Sequence, residues 1–140
     1  MSDSYRDLRV WQSAMEFVSA VYEATRGFPK EELYGLVSQM RRAAVSIPSN
    51  IAEGKGRITD RDRSHFYFQA RGSVLELETQ ILIAQALEFL TESRAQALLE
   101  RSSELSRMLN ALIHAIRPAE KASSIAAQVM NIRPMPRSGA

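Results

Sequence analysis

Apolar residues recur at spacings of three and four along almost the whole chain, the mark of helices laid against a core. Leu8, Trp11, Met15, Val18 and Tyr22 form one such face in a first segment, which Gly27 and Pro29 close. A second series, Leu33, Val37, Met40, Ala44, Ile47 and Ile51, passes Pro48 without losing phase. Were Pro48 a terminator, the register after it would be accidental. The pattern therefore predicts one helix over about residues 31–53, bent at Pro48 and stopped by Gly54. An interior proline costs about 3 kcal/mol. Ala44, four residues back, leaves room for it, and Ser46 is placed to bond a freed carbonyl. A third segment opens with Thr59 as cap and Asp60 and Asp62 in its first turn, where the helix dipole favours negative charge. It runs through Phe66, Ala70, Val74, Leu77, Ile81 and Ala84 to about residue 87. The fourth has Thr91 as cap, then Ala95, Leu98, Ser102, Leu105, Leu109, Leu112 and Ile116, with Pro118 as stop. No stretch sustains the two-residue alternation of a half-buried strand.

Short connections near residues 27–30, 54–58 and 88–91 favour neighbours of opposite direction. The expected fold is all-α, an antiparallel up-down-up-down four-helix bundle occupying residues 1–117. Residues 118–140 read as a basic C-terminal tail with room for one short helix near 119–130.

The apolar surface exceeds what one such bundle hides. The first helix carries another stripe, Val10, Ala14, Phe17, Val21 and Ala24, beside the first. The third carries "HFYF" and "ILI", whose adjacent large residues point about 100° apart. This surplus predicts a homo-oligomer, with the first and third helices contributing to the contacts. Gly72, inside the third helix, costs about 1 kcal/mol relative to alanine and so predicts close packing.

Composition narrows the function. With 140 residues the chain suits one domain with a real core. It has no cysteine, which excludes disulfides and thiolate zinc sites and fits a reducing compartment. No apolar run approaches the roughly 18 residues of a membrane span, and the N-terminus has no signal pattern. A cytoplasmic protein without membrane contact is expected. Net charge is only +2, yet residues 41–71 carry seven basic and three acidic groups. Of 18 basic residues 15 are arginine, whose forked donors suit phosphates and buried carboxylates alike.

Chemistry is scarce. His65 and His114 lie on different helices, and neither has the glutamate partner of a Glu-x-x-His di-iron site. Glu76 and Glu78, two residues apart, face different sides of one helix and form no acid pair. There is no phosphate loop, nucleophile elbow or metal-ligand spacing. No enzymatic activity, cofactor or metal is expected. Gln39, Arg42, Ser46, Ser49 and Glu53 line one side of the second helix, with Asn50 at its border. They read either as a polar seam between helices or subunits, or as a groove presenting arginines to phosphate.

Three stretches, "YRDLRVWQSA", "FPKEELYGLVSQMRRAAVSIPSNIAEGKGR" and "GSVLELETQ", resemble in order and spacing the 23S ribosomal RNA intervening-sequence protein family. The likeness covers about residues 5–117. It implies a left-handed antiparallel four-helix bundle, a ring-like homopentamer and a cytoplasmic location. More distant relatives are accessory proteins of diversity-generating retroelements, basic pentamers that bind nucleic acid and a reverse transcriptase. The family's motif positions fall here on Tyr34, Gly35, Gln39, Arg41, Arg42, Ser46, Asn50, Glu53, Gly54, Arg57, Gly72, Ser73 and Glu76, without assigned roles.

Two function classes follow. One is a non-enzymatic oligomeric scaffold that binds structured RNA or DNA through arginines of residues 41–71. Arg57, Arg61 and Arg63, with Lys55, are its candidate phosphate contacts, although Asp60 and Asp62 could simply pair with them. Arg41 and Arg42 are expected to be held by carboxylates such as Glu53 or Glu76 across an interface. The other class is a protein–protein adaptor ring with no nucleic-acid role and an unidentified protein partner.

Overall fold

The computed structural model describes residues 4–116. Among these there are four long helices and no strand: α1 (Arg9–Thr25), α2 (Leu36–Lys55), α3 (Asp60–Ala86) and α4 (Glu92–Ile116). Short 3-10 turns at Tyr5–Asp7 and Lys30–Glu32 precede α1 and α2. The tail of residues 118–140 and its expected helix lie outside the described residues.

Capping chemistry sets the helix ends. Thr59 accepts from the Asp62 N–H at 3.1 Å, and Thr91 accepts from Arg94 at 3.2 Å. The Glu32 carboxylate accepts from the Leu36 N–H at 3.0 Å and puts negative charge at the start of α2. Gly35 permits that approach, since a Cβ there would lie 2.9 Å from the same oxygen. α2 thus begins at Leu36 rather than near residue 31, and Leu33 lies outside the core, 49% exposed. The connection α3–α4 turns through Glu88 at φ 65°, with the Glu88 N–H bonded to Gln85 and the Phe89 N–H to Ala84.

Pro48 sits inside an unbroken α2. Having no N–H, it gives nothing to the Ala44 carbonyl, and hydroxyls engage the carbonyls on either side. Ser46 donates to Ala43 at 2.7 Å and Ser49 to Val45 at 2.9 Å. Gly54 does not stop the helix. It lies buried in the last turn of α2 against Tyr67, and the cap is Gly56.

The core joins Val10, Ala14, Phe17 and Val21 of α1 to Val37, Met40, Ala44, Ile47 and Ile51 of α2. Tyr67, Val74, Leu77 and Ile81 of α3 and Leu98, Leu105 and Leu109 of α4 complete it. On α1 this is the stripe that the sequence offers second. The stripe of Trp11, Met15 and Tyr22 remains half-buried or exposed. On α3 the buried aromatic is Tyr67, whereas Phe66 is only partly covered. Both shifts have one cause: where large apolar residues occupy adjacent faces, the period alone does not say which face turns inward.

Polar clasps join the helices. Ser46 Oγ of α2 lies 2.6 Å from Ser73 Oγ of α3. Arg71 of α3 donates to Asn110 of α4 at 3.0 Å, and the buried Ser102 of α4 donates to Glu78 of α3 at 2.9 Å. Gly72 meets nothing within 4 Å of where a Cβ would stand, so the expected close packing is absent among the described residues.

Candidate nucleic-acid interface

Four basic residues gather at the α2–α3 connection. Lys55 closes α2, Arg57 lies in the turn, and Arg61 and Arg63 are in the first turn of α3. Arg63 Nε donates to the Arg57 carbonyl at 2.8 Å, which stitches the turn to the helix. Its other nitrogen meets Asp60 at 3.3 Å. Arg57 meets Glu53 at 3.1 Å, and its guanidinium lies 4.6 Å from the Phe66 ring centre. Arg57 and Arg63 are therefore engaged locally, Arg63 with the aspartate that the sequence allows as its partner. Arg61 is exposed, and no hydrogen bond or ion pair engages it among the described residues. Both ion pairs are open to solvent, with side chains 36–57% exposed, so each contributes at most about 1 kcal/mol and yields readily to a phosphate.

The polar residues of α2 form its solvent-facing side, with Gln39, Arg42, Ser49 and Glu53 exposed and Ser46 and Asn50 half-buried. Only part of the expected seam is drawn together. Ser46 meets Ser73, and Asn50 donates to the Ser46 carbonyl at 2.8 Å. Glu76 instead accepts from Gln80 at 3.2 Å on its own helix.

Arg41 and Arg42 are neighbours on α2. Within the chain neither is paired with a carboxylate among the described residues. Arg41 Nε donates to Thr25 Oγ1 at 3.0 Å, and its guanidinium lies 4.5 Å from the Tyr22 ring centre. Thr25 is buried and donates in turn to the Val21 carbonyl at 2.8 Å. Arg42 is exposed beside it. The residues that position Arg41 were not among the sequence candidates. Tyr22 and Thr25 belong to the preceding helix, and nothing in their spacing marks them as partners of α2.

The described residues hold no cluster of three or more His, Cys, Asp or Glu able to bind a metal ion. No helix among them is long and apolar enough to cross a membrane.

Comparison with known proteins adds a lineage. The model of the family described as 23S rRNA-intervening sequence protein matches residues 6–111. No curated protein matches the chain. Its fold is similar to the crystal structure of a protein of unknown function from the S23 ribosomal protein family of Bacteroides thetaiotaomicron. The TM-score is 0.68 at 20% identity, covering 74% of this chain and 97% of that one.

Proposed function

We propose that this chain, which belongs to the 23S rRNA-intervening sequence protein family, is a non-enzymatic cytoplasmic scaffold that assembles with copies of itself and holds structured RNA or DNA. The observation that carries this reading is α3, which is apolar on two sides. One side fills the core, while Leu75, Leu82 and Ile83 stand 55%, 51% and 44% exposed on the other. A second apolar surface lies between α1 and α2, where Trp11, Met15, Val18 and Val45 line a groove. Two different patches on one chain suit head-to-tail contacts, which close into rings. A homopentamer is the ring proposed. Within each chain the helices run antiparallel, up-down-up-down, a reading supported by partner pairs whose numbers move in opposite directions. Ser46 meets Ser73 while Gly54 meets Tyr67, and Arg71 meets Asn110 while Glu78 meets Ser102.

The proposed nucleic-acid face is the α2–α3 connection, with Arg57, Arg61, Arg63 and Lys55. A ring repeats it in every subunit, so a small charge per chain becomes a dense band of donors. Light scattering on the protein alone and with added RNA or DNA tests both halves. The expected mass is several times 15.7 kDa. Affinity should fall steeply with salt, because each neutralised phosphate releases counterions. Changing Arg57, Arg61 and Arg63 together to glutamine should weaken binding and flatten that dependence. If binding persists unchanged, or no nucleic acid binds at low salt, the adaptor ring is the reading that stands. The existing Arg57–Glu53 and Arg63–Asp60 pairs are the observations in its favour.

A further inference from the structure

A groove of about 640 Å³ opens where the end of α1, the 33–34 segment and the first turns of α2 meet. Tyr34, Leu33, Arg41 and Arg42 give it its chemistry, and the α3 face and the α2–α3 connection contribute nothing to it. Resting on the nucleic-acid reading above, we propose that this groove is a subsite for one unpaired nucleotide of a single strand, its base on Tyr34 and its phosphate on Arg41 and Arg42.

Three features of the groove combine. Arg41 is held rigid by the buried Thr25 hydroxyl and by the Tyr22 ring. Its Nη2 also reaches the Tyr22 carbonyl at 3.5 Å, which leaves three of its five N–H donors uncommitted, and no carboxylate pairs with it among the described residues. A guanidinium fixed in advance loses little freedom on binding, and its forked donors match a phosphate. Arg42, adjacent and exposed, supplies a second positive charge. Tyr34 stands 93% exposed, an aromatic ring that the fold does not use. Beside it Leu33 and Val45 give an apolar wall. A fixed cation next to a free aromatic platform is the pairing by which proteins take splayed bases and their phosphates. A paired base offers no open face to Tyr34, so duplex gains nothing there. An acidic peptide would use the arginines and leave the ring idle.

Equilibrium binding of a short labelled single-stranded RNA, and of a duplex of equal length, to the full-length protein tests the assignment. Single strand should bind about tenfold more tightly than duplex, the scale of one stacked base. Tyr34→Ala should remove that preference and leave duplex affinity unchanged, and Tyr34→Phe should keep it. Arg41→Gln should also weaken single-strand binding, with helix content followed by circular dichroism. Because Tyr34 is solvent-exposed, its variants test the site even if Arg41→Gln disturbs the fold. Equal affinity for both forms, or a silent Tyr34→Ala, overturns the subsite. If the Arg57, Arg61 and Arg63 triple variant still weakens both forms in the first case, the general nucleic-acid face survives the loss of the subsite. Absence of any binding overturns both.

Discussion

Gly54 and Tyr67 show how much one hydrogen atom decides. A Cβ at Gly54 would lie 2.6 Å from Tyr67 Cε1 and 3.1 Å from the Arg63 carbonyl, and that backbone cannot easily retreat. Alanine recovers about 1 kcal/mol of helix propensity, but overpacking a buried contact costs about 1–3 kcal/mol. Gly54→Ala should therefore lower stability by up to about 2 kcal/mol, read as the shift of a chemical unfolding midpoint. Tyr67 adds a pH signature. Burial pushes its phenol above the ordinary value, and the nearby Arg63 opposes only part of that rise. The unfolded chain releases this proton near pH 10, so stability is full below that pH and falls as pH rises toward the folded-state value. Tyr67→Phe should flatten the alkaline fall, which unfolding curves above and below pH 10 would record. The glycines illustrate what was legible. The sequence marks Gly54 as an irregular position, yet the partner that makes it necessary is thirteen residues away on another helix, beyond the reach of any local pattern. Arg41 repeats the case, since its anchors Thr25 and Tyr22 are defined only once α1 and α2 are packed.

At the scale of elements, phase was the reliable signal and edges were not. The apolar series that crosses Pro48 requires a continuous helix, and α2 is continuous. Thr59 and Thr91 cap where the sequence puts them, because a short hydroxyl side chain bonding its own first turn is a local matter. The start of α2 lies later than the apolar pattern suggests because the Glu32 carboxylate, not a Ser or Thr, performs that task after a 3-10 turn. The doubled apolar stripes of α1 and α3 were legible as a surplus but not as an assignment of inside and outside. Pro48 gives the test at this scale. Pro48→Ala restores one backbone hydrogen bond to Ala44 and removes a buried ring, two effects of opposite sign. Stability should change by less than about 1 kcal/mol, with helix content unchanged by circular dichroism. A loss of several kcal/mol would mean that the ring's packing outweighs the missing bond. Glu88 is a second test, being a non-glycine residue in the left-handed region. Glu88→Gly should raise the melting temperature by a few degrees, because relief of about 1 kcal/mol of backbone strain exceeds the entropy added to the unfolded chain.

For the whole molecule the governing fact is that α3 is apolar on two faces, and the described residues cover only one of them. The exposed positions 68, 72, 75, 79, 82 and 86 repeat at intervals of four and three, the spacing of a helix-packing seam. Gly72 sits within that row. Beyond its own helix no described residue lies within 4 Å of where its Cβ would stand, so the cost of a mid-helix glycine has no return among the described residues. A helix from another copy, crossing closely at that point, would use the missing side chain. The two components of this idea separate experimentally. Gly72→Leu should stabilise an isolated chain by somewhat under 1 kcal/mol through helix propensity alone, while blocking close approach and weakening assembly. Leu75→Glu combined with Leu82→Glu should leave the helices formed, because both side chains already face solvent, and should dissociate the assembly through buried like charges. Light scattering should then report a species near 15.7 kDa for the double variant and a several-fold larger one for the natural chain. The natural chain running at 15.7 kDa at micromolar concentration would overturn the assembly. A Gly72→Leu chain that assembles as tightly as the natural one would move the contact off this seam.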